Sequence, residues 1–159
     1  MNRLAQKGFT LIEMLVVISI IGILATLVAA NLNSARSRAR DAERKSDIKN
    51  IGTALRIYYN DKGSFPANDG SNQIVACDPG TASCAWGSEW NIATTVYMQT
   101  LPKDPLSPSQ DYRYTRGTVA VPTDTDSFIL QACLENKSDT NGVTSGAWCP
   151  SGIMFEIKP

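Results

Sequence analysis

Residues 14–35 carry no charged side chain. As a helix these about 22 residues would be roughly 33 Å long, enough to cross the hydrocarbon of a bilayer. A short basic segment with Arg3 and Lys7 precedes the run. A secretory signal peptide has an apolar core of only about 7–15 residues, so this longer run reads as a retained span. Val28, Ala29 and Ala30 could still serve as the small-residue site of an ordinary signal peptidase. Glu13 separates the two readings, because it places an acid inside the apolar stretch that begins at Phe9. Such a group costs about 2.5–3.5 kcal/mol in a membrane segment, so it calls for a partner that neutralises it.

The 159 residues suffice for one ordinary folded domain, and 15 basic residues balance 15 acidic ones. With no histidine, the commonest general base and zinc ligand is missing, which argues against most hydrolytic and zinc chemistry. Cys77, Cys84, Cys133 and Cys149 include no C-x-x-C pair. An even count in a polar, loop-rich region predicts two disulfides and therefore an oxidising compartment. Four cysteines allow three connectivities; a Cys77–Cys84 bridge would close one small loop.

The segment KGFTLIEMLVVISIIGIL resembles the class III leader and first helix of type IV pilins and of the pseudopilins of type II secretion. The resemblance runs residue by residue through Gly8, Phe9, Thr10, Leu11, Ile12 and Glu13. It implies a leader of residues 1–8, removed after Gly8 by a prepilin peptidase that then methylates the new amine of Phe9. Residues 9–35 would be the membrane and filament-core helix. Glu13, fifth in the mature chain, would meet the Phe9 amine of a neighbouring subunit, two charges that are costly alone and tolerable together. Many members carry proline where this chain has Ala30, so a straighter helix is expected, although Gly22 keeps one weak point.

Residues 36–62 predict continued helix, ended by Asn60, Gly63 and Pro66. Ile48, Ile51, Leu55 and Tyr58 recur at spacings of three and four, an apolar stripe that needs a surface to cover it. Asp41 and Lys45 are spaced to pair on the exposed side. The cluster Arg36, Arg38, Arg40, Arg44 and Lys45 would suit lipid headgroups or acidic neighbours such as Asp41, Glu43 and Asp47. Those interleaved acids argue against nucleic acid. The resemblance implies that this half-helix crosses an antiparallel sheet, giving an α+β fold.

The remainder, 63–159, reads as a globular head. Its connecting region, 63–105, is anchored by Trp86 and Trp90, with one short helix expected near 89–98. Leu101-Pro102-Lys103-Asp104-Pro105 resembles the LPxDP turn of many pseudopilins and related pilins. Strands are expected at 111–115, 127–135 and 152–158, with Tyr112 and Tyr114 sharing a face and Phe128, Leu130, Ala132 and Leu134 alternating. Residues 106–159 would comprise this sheet and a C-terminal loop, which the family resemblance would close by Cys133 and Cys149. Major pseudopilins bind calcium in their C-terminal loop, but the spacing is not reproduced here. Asp124 and Asp126 are the candidate ligands, read first as solvated loop acids.

The leading reading is a non-enzymatic subunit of a type IV pilus, with no cofactor beyond that calcium candidate. Its partners would be identical or related pilins, prepilin peptidase, and an inner-membrane platform and ATPase. The head would lie outside the cytoplasm before and after assembly. The alternative within the family is a secretion-system pseudopilin, favoured by the LPxDP turn. From another class comes a membrane-anchored domain binding a ligand or glycan through Trp86, Trp90 and Trp148.

Overall fold

The computed structural model describes residues 8–118, 121 and 123–159; Arg3, Lys7 and the rest of the expected leader before Gly8 lie outside them. Helix α1, Leu11–Lys62, contributes to two compact units, one ending at Ser37 and the other spanning Arg38–Pro159. Helical structure continues without a break through Gly22 and Ala30.

In the first unit the apolar side chains are exposed: Phe9 is 80% accessible, Ile18 66% and Ile23 63%. Burying one such side chain stabilises by about 1.5–3 kcal/mol, so a row of them left bare in water is untenable for an isolated chain. The helix is long and apolar enough to cross a membrane.

The second unit holds the core. Gly63 ends α1 with φ +74°, its N–H donating to the Tyr59 carbonyl at 2.8 Å, a left-handed cap that glycine adopts without a Cβ penalty. Nine strands follow among the described residues: β1 (Ala67–Asn68), β2 (Ile74–Cys77), β3 (Ala82–Cys84), β4 (Trp90–Ile92), β5 (Thr95–Met98), β6 (Arg113–Arg116), β7 (Phe128–Cys133), β8 (Val143–Thr144) and β9 (Ile153–Ile157). They form antiparallel sheets in the orders β1-β2-β3, β4-β5 and β6-β7-β9-β8. One long helix with small antiparallel sheets is the α+β architecture expected.

The apolar stripe of α1 closes this core. Ile48, Ile51 and Leu55 are fully buried among Tyr112, Tyr114, Phe128, Leu130 and Ala132, with Tyr58 packed at the edge. At Gly52 an added Cβ would collide with the Ile157 side chain. Glycine costs about 1 kcal/mol of helix propensity there but lets helix and β9 approach closely.

The three expected strands are present as β6, β7 and β9, with β7 in the middle. The short helix expected at 89–98 is instead the β4-β5 hairpin, Trp90 opposite Met98 and Ile92 opposite Thr95. The β-branched and aromatic residues Thr95, Val96 and Tyr97 fit a pleated surface, and Trp90 and Tyr97 turn inward to pack in a tilted pair, 5.4 Å between ring centres. Strands β1–β3 and β8 are additions, each four residues or fewer.

Candidate functional site

Glu13 occupies the first turn of α1. Its Oε2 accepts from the Thr10 amide at 2.8 Å and from the Thr10 hydroxyl at 2.7 Å, while Thr10 Oγ1 accepts from the Glu13 amide at 3.2 Å. This reciprocal arrangement is a capping box, satisfying donors that the start of a helix leaves without partners. The signal stood in the sequence as T-x-x-E before an apolar run, and reading Glu13 only as a pairing charge passed it over. Glu13 shares an open surface depression with Phe9, Ile12, Met14, Val16 and Val17. The carboxylate is therefore held at the helix start, among apolar groups.

In the second unit a cluster of buried charges ties α1 to the sheet. Arg44, fully inaccessible, donates from Nε to Asp104 Oδ2 at 2.8 Å and from Nη2 to Asp104 Oδ1 at 3.0 Å. Its Nη1 reaches Asp41 at 2.9 Å and Glu135 at 2.8 Å. Arg40 grips Glu135 with two bonds of 2.7 and 2.6 Å. Asp41 also accepts the backbone amides of Glu135 at 2.9 Å and Asn136 at 2.8 Å. Burial works against the Arg44 charge, but the bonds to Asp104, Glu135 and Asp41 outweigh it and push its pKa up.

The expected exposed pair of Asp41 with Lys45 is therefore not made: Asp41 is buried on Arg44, and Lys45 pairs with Asp139. The signal for burial was the apolar stripe itself. Extended backward at the same spacing, Tyr58, Leu55, Ile51 and Ile48 lead to Arg44 and Asp41. Asp104 is the acid of the LPxDP segment, and its Oδ1 also accepts the Leu106 amide at 2.8 Å. The motif thus supplies the counter-charge for Arg44 on a stiff turn.

Glu135 has its pKa held down to about 2, from 4.5, chiefly by the Arg40 bond against the opposing effect of burial, with Arg44 adding to it. A carboxylate depressed in the folded state contributes stability that is complete above its unfolded pKa and is lost as pH falls through the folded one. Thermal melts of wild type should therefore fall between pH 4.5 and about 2 more steeply than those of Glu135→Gln. Parallel curves for the two proteins would contradict this account.

All four cysteines are bridged, Cys77 to Cys84 and Cys133 to Cys149, with Cα atoms 5.3 and 5.4 Å apart. The first bridge joins β2 to β3; the second ties the end of β7 to the loop before β9. Asp124 is committed within its own loop, accepting from the Ser127 hydroxyl and the Asp126 amide, and Asp126 accepts from the Tyr59 hydroxyl at 3.2 Å. Among the described residues no group of three or more acids or cysteines converges as a metal site would.

The tryptophans have separate fates. Trp90 is fully buried and donates to the Ala76 carbonyl at 3.1 Å, and Trp86 packs edge-on against Tyr112. Trp90 is thereby committed to the core, while Trp86 is half-buried. Trp148 is half-buried beneath the guanidinium of Arg113, 4.2 Å from its ring centre.

Residues 3–29 match the family described as the prokaryotic N-terminal methylation motif, and residues 31–131 match type II secretion system (T2SS), protein G. The chain is 36% identical over 149 residues to the type II secretion system core protein G of Pseudomonas aeruginosa, covering 93% of this chain and 99% of that one. The protein of that name from Vibrio cholerae is 31% identical over 147 residues, covering 90% and 92%. That of Escherichia coli is 37% identical over 101 residues, covering 63% and 66%. No solved structure matches the chain.

Proposed function

Because the chain belongs to the type II secretion system protein G family, we propose that it is a structural pseudopilin, cut after Gly8 and stacked through α1 into a pseudopilus with copies of itself and related subunits. The observation that carries this is the succession, in one chain, of the methylation motif over residues 3–29 and the protein G match over 31–131. The order of preference within the family is thereby reversed. A pilus subunit was the leading expectation, and the secretion alternative is the better supported.

The proposed sequence of events follows from the chemistry of the two units. Before assembly, residues 9–35 rest in the inner membrane, where lipid covers the apolar side chains that are bare in the isolated chain. The disulfide-bonded head faces the oxidising side. An assembly platform and ATPase then lift subunits into the filament, where neighbouring helices replace lipid. Within that apolar bundle the Phe9 amine of one subunit pairs with the Glu13 carboxylate of the next. A subunit out of register would leave both charges unpaired, at a cost of about 3–5 kcal/mol. The role is structural and asks for no catalytic group.

Mass analysis of the mature chain from its native host tests the first step. The chain should begin at Phe9 and carry an N-methyl group. A chain beginning at Met1, or at Asn31 after ordinary signal cleavage, would defeat the proposal.

A further inference from the structure

Five cations crowd residues 36–45, and the structure divides them. Arg40 is paired with Glu135, Arg44 with Asp41, Asp104 and Glu135, and Lys45 with Asp139. Arg36 and Arg38 are exposed and enter none of the ion pairs among the described residues. Arg38 shares a surface depression with Asp41 and Asp139, yet those acids are paired with Arg44 and Lys45. After Glu13, the first acid along α1 is Asp41 itself. Two guanidinium charges are thus left uncompensated where the helix leaves its apolar run.

Their height along the helix points to the partner. Bare apolar side chains continue as far as Leu32. From Leu11 to Leu32 the helix rises about 32 Å, close to the thickness of a bilayer's hydrocarbon layer. Arg36 and Arg38 follow about 6 and 9 Å further along the same unbroken helix. The headgroup layer on each side of a bilayer is roughly 5–8 Å thick, and helical side chains lean back toward the helix N-terminus. Both guanidinium groups therefore lie at the depth of the lipid phosphates, which an arginine can bind through two parallel hydrogen bonds. A zwitterionic lipid carries its own cation beside the phosphate, whereas an anionic lipid leaves the phosphate uncompensated.

We infer that Arg36 and Arg38 bind the headgroups of anionic phospholipid where α1 leaves the membrane, before the subunit enters a filament. Two residues apart, they stand on nearly opposite sides of the helix, so each takes its own lipid. That this leaflet is the outer one of the inner membrane rests on the export proposed above; the preference for anionic lipid does not.

The test uses the purified full chain in micelles of octaethylene glycol monododecyl ether, an uncharged detergent. Phosphatidylglycerol and phosphatidylcholine with the same acyl chains are added in equal amounts, and bound lipid is counted by native mass spectrometry. Wild type should retain phosphatidylglycerol in preference. Arg36→Gln and Arg38→Gln should each lower the ratio of bound phosphatidylglycerol to phosphatidylcholine about fivefold, and the double variant about thirtyfold. Arg3 and Lys7 are common to all these proteins, so the leader cancels in the comparison. Lys49→Gln combined with Arg56→Gln removes two exposed cations further along α1 and should leave the ratio unchanged. Circular dichroism and intact-disulfide mass spectra establish that the variants are folded. No preference in wild type, or an undiminished ratio in the Arg36→Gln, Arg38→Gln double variant, would overturn the inference. So would an equal loss in the Lys49→Gln, Arg56→Gln variant, which would reduce the effect to net charge. An undiminished ratio together with lost filament yield would assign the two arginines to acids of a neighbouring subunit instead. Lipid retention is read without filaments, so its failure leaves the pseudopilin proposal standing, and a mature chain that does not begin at Phe9 leaves the lipid preference testable.

Discussion

Replacing Arg44 with leucine is expected to destabilise the head by about 3–5 kcal/mol, the range found when one partner of a buried ion pair is removed. The substitution leaves Asp41 and Asp104 buried beside an apolar side chain, and Glu135 with Arg40 alone. Denaturant melts of the full chain in detergent measure the effect. Arg44→Lys should recover only part of it, because an ammonium cannot reproduce the two parallel bonds to Asp104. The charges act as a group, so the Asp104→Asn loss and the Arg44→Leu loss should not add in the double variant. A shift below about 1 kcal/mol for Arg44→Leu would mean that the network contributes no more than a surface pair.

The second large effect is expected at Glu13, where the capping seen in the structure and the proposed pairing in the filament can be separated. Glu13→Gln keeps the capping box, since glutamine also fills that position, but removes the charge. Glu13→Ala removes both, with about 1 kcal/mol of helix-end stability lost in addition. Membrane insertion and cleavage after Gly8 should be normal in both. Filament yield should fall by about two orders of magnitude in both, as expected when a charge is left unpaired in an apolar bundle. The yield is read by shearing and immunoblotting from cells that overproduce the secretion system. Filaments from Glu13→Gln at wild-type yield, with Glu13→Ala defective, would assign Glu13 to capping alone.

Some elements were readable because they depend on periodicity or on chain-local chemistry. Ile48, Ile51 and Leu55 of the stripe are buried as its spacing requires, with Tyr58 packed at the edge, and Gly63 stops the helix where it was expected to stop. Strands β6, β7 and β9 appear where apolar or aromatic residues alternate, with Tyr112 and Tyr114 both inward. The hairpin at 90–98 was misread as helix because its short strands reveal themselves only when Trp90 and Tyr97 meet Tyr58 in the core. Strands β1, β3 and β8, of two or three residues, are too short to show a period at all.

The charges divide along the same line. Apolar length, the acid at Glu13 and the Gly8–Phe9 junction are properties of neighbouring residues, so the sequence by itself determined the membrane-capable helix and the family's N-terminal motif. Which of Arg36, Arg38, Arg40 and Arg44 would be buried depended on acids about 60 and 91–95 residues away, Asp104 and Glu135. Only the tertiary structure could decide that, because the desolvation of a charge and the partner that offsets it are set by packing. The disulfide pairing and the committed oxygens of Asp124 were decided there too, for each depends on what the fold brings within hydrogen-bonding or bonding distance.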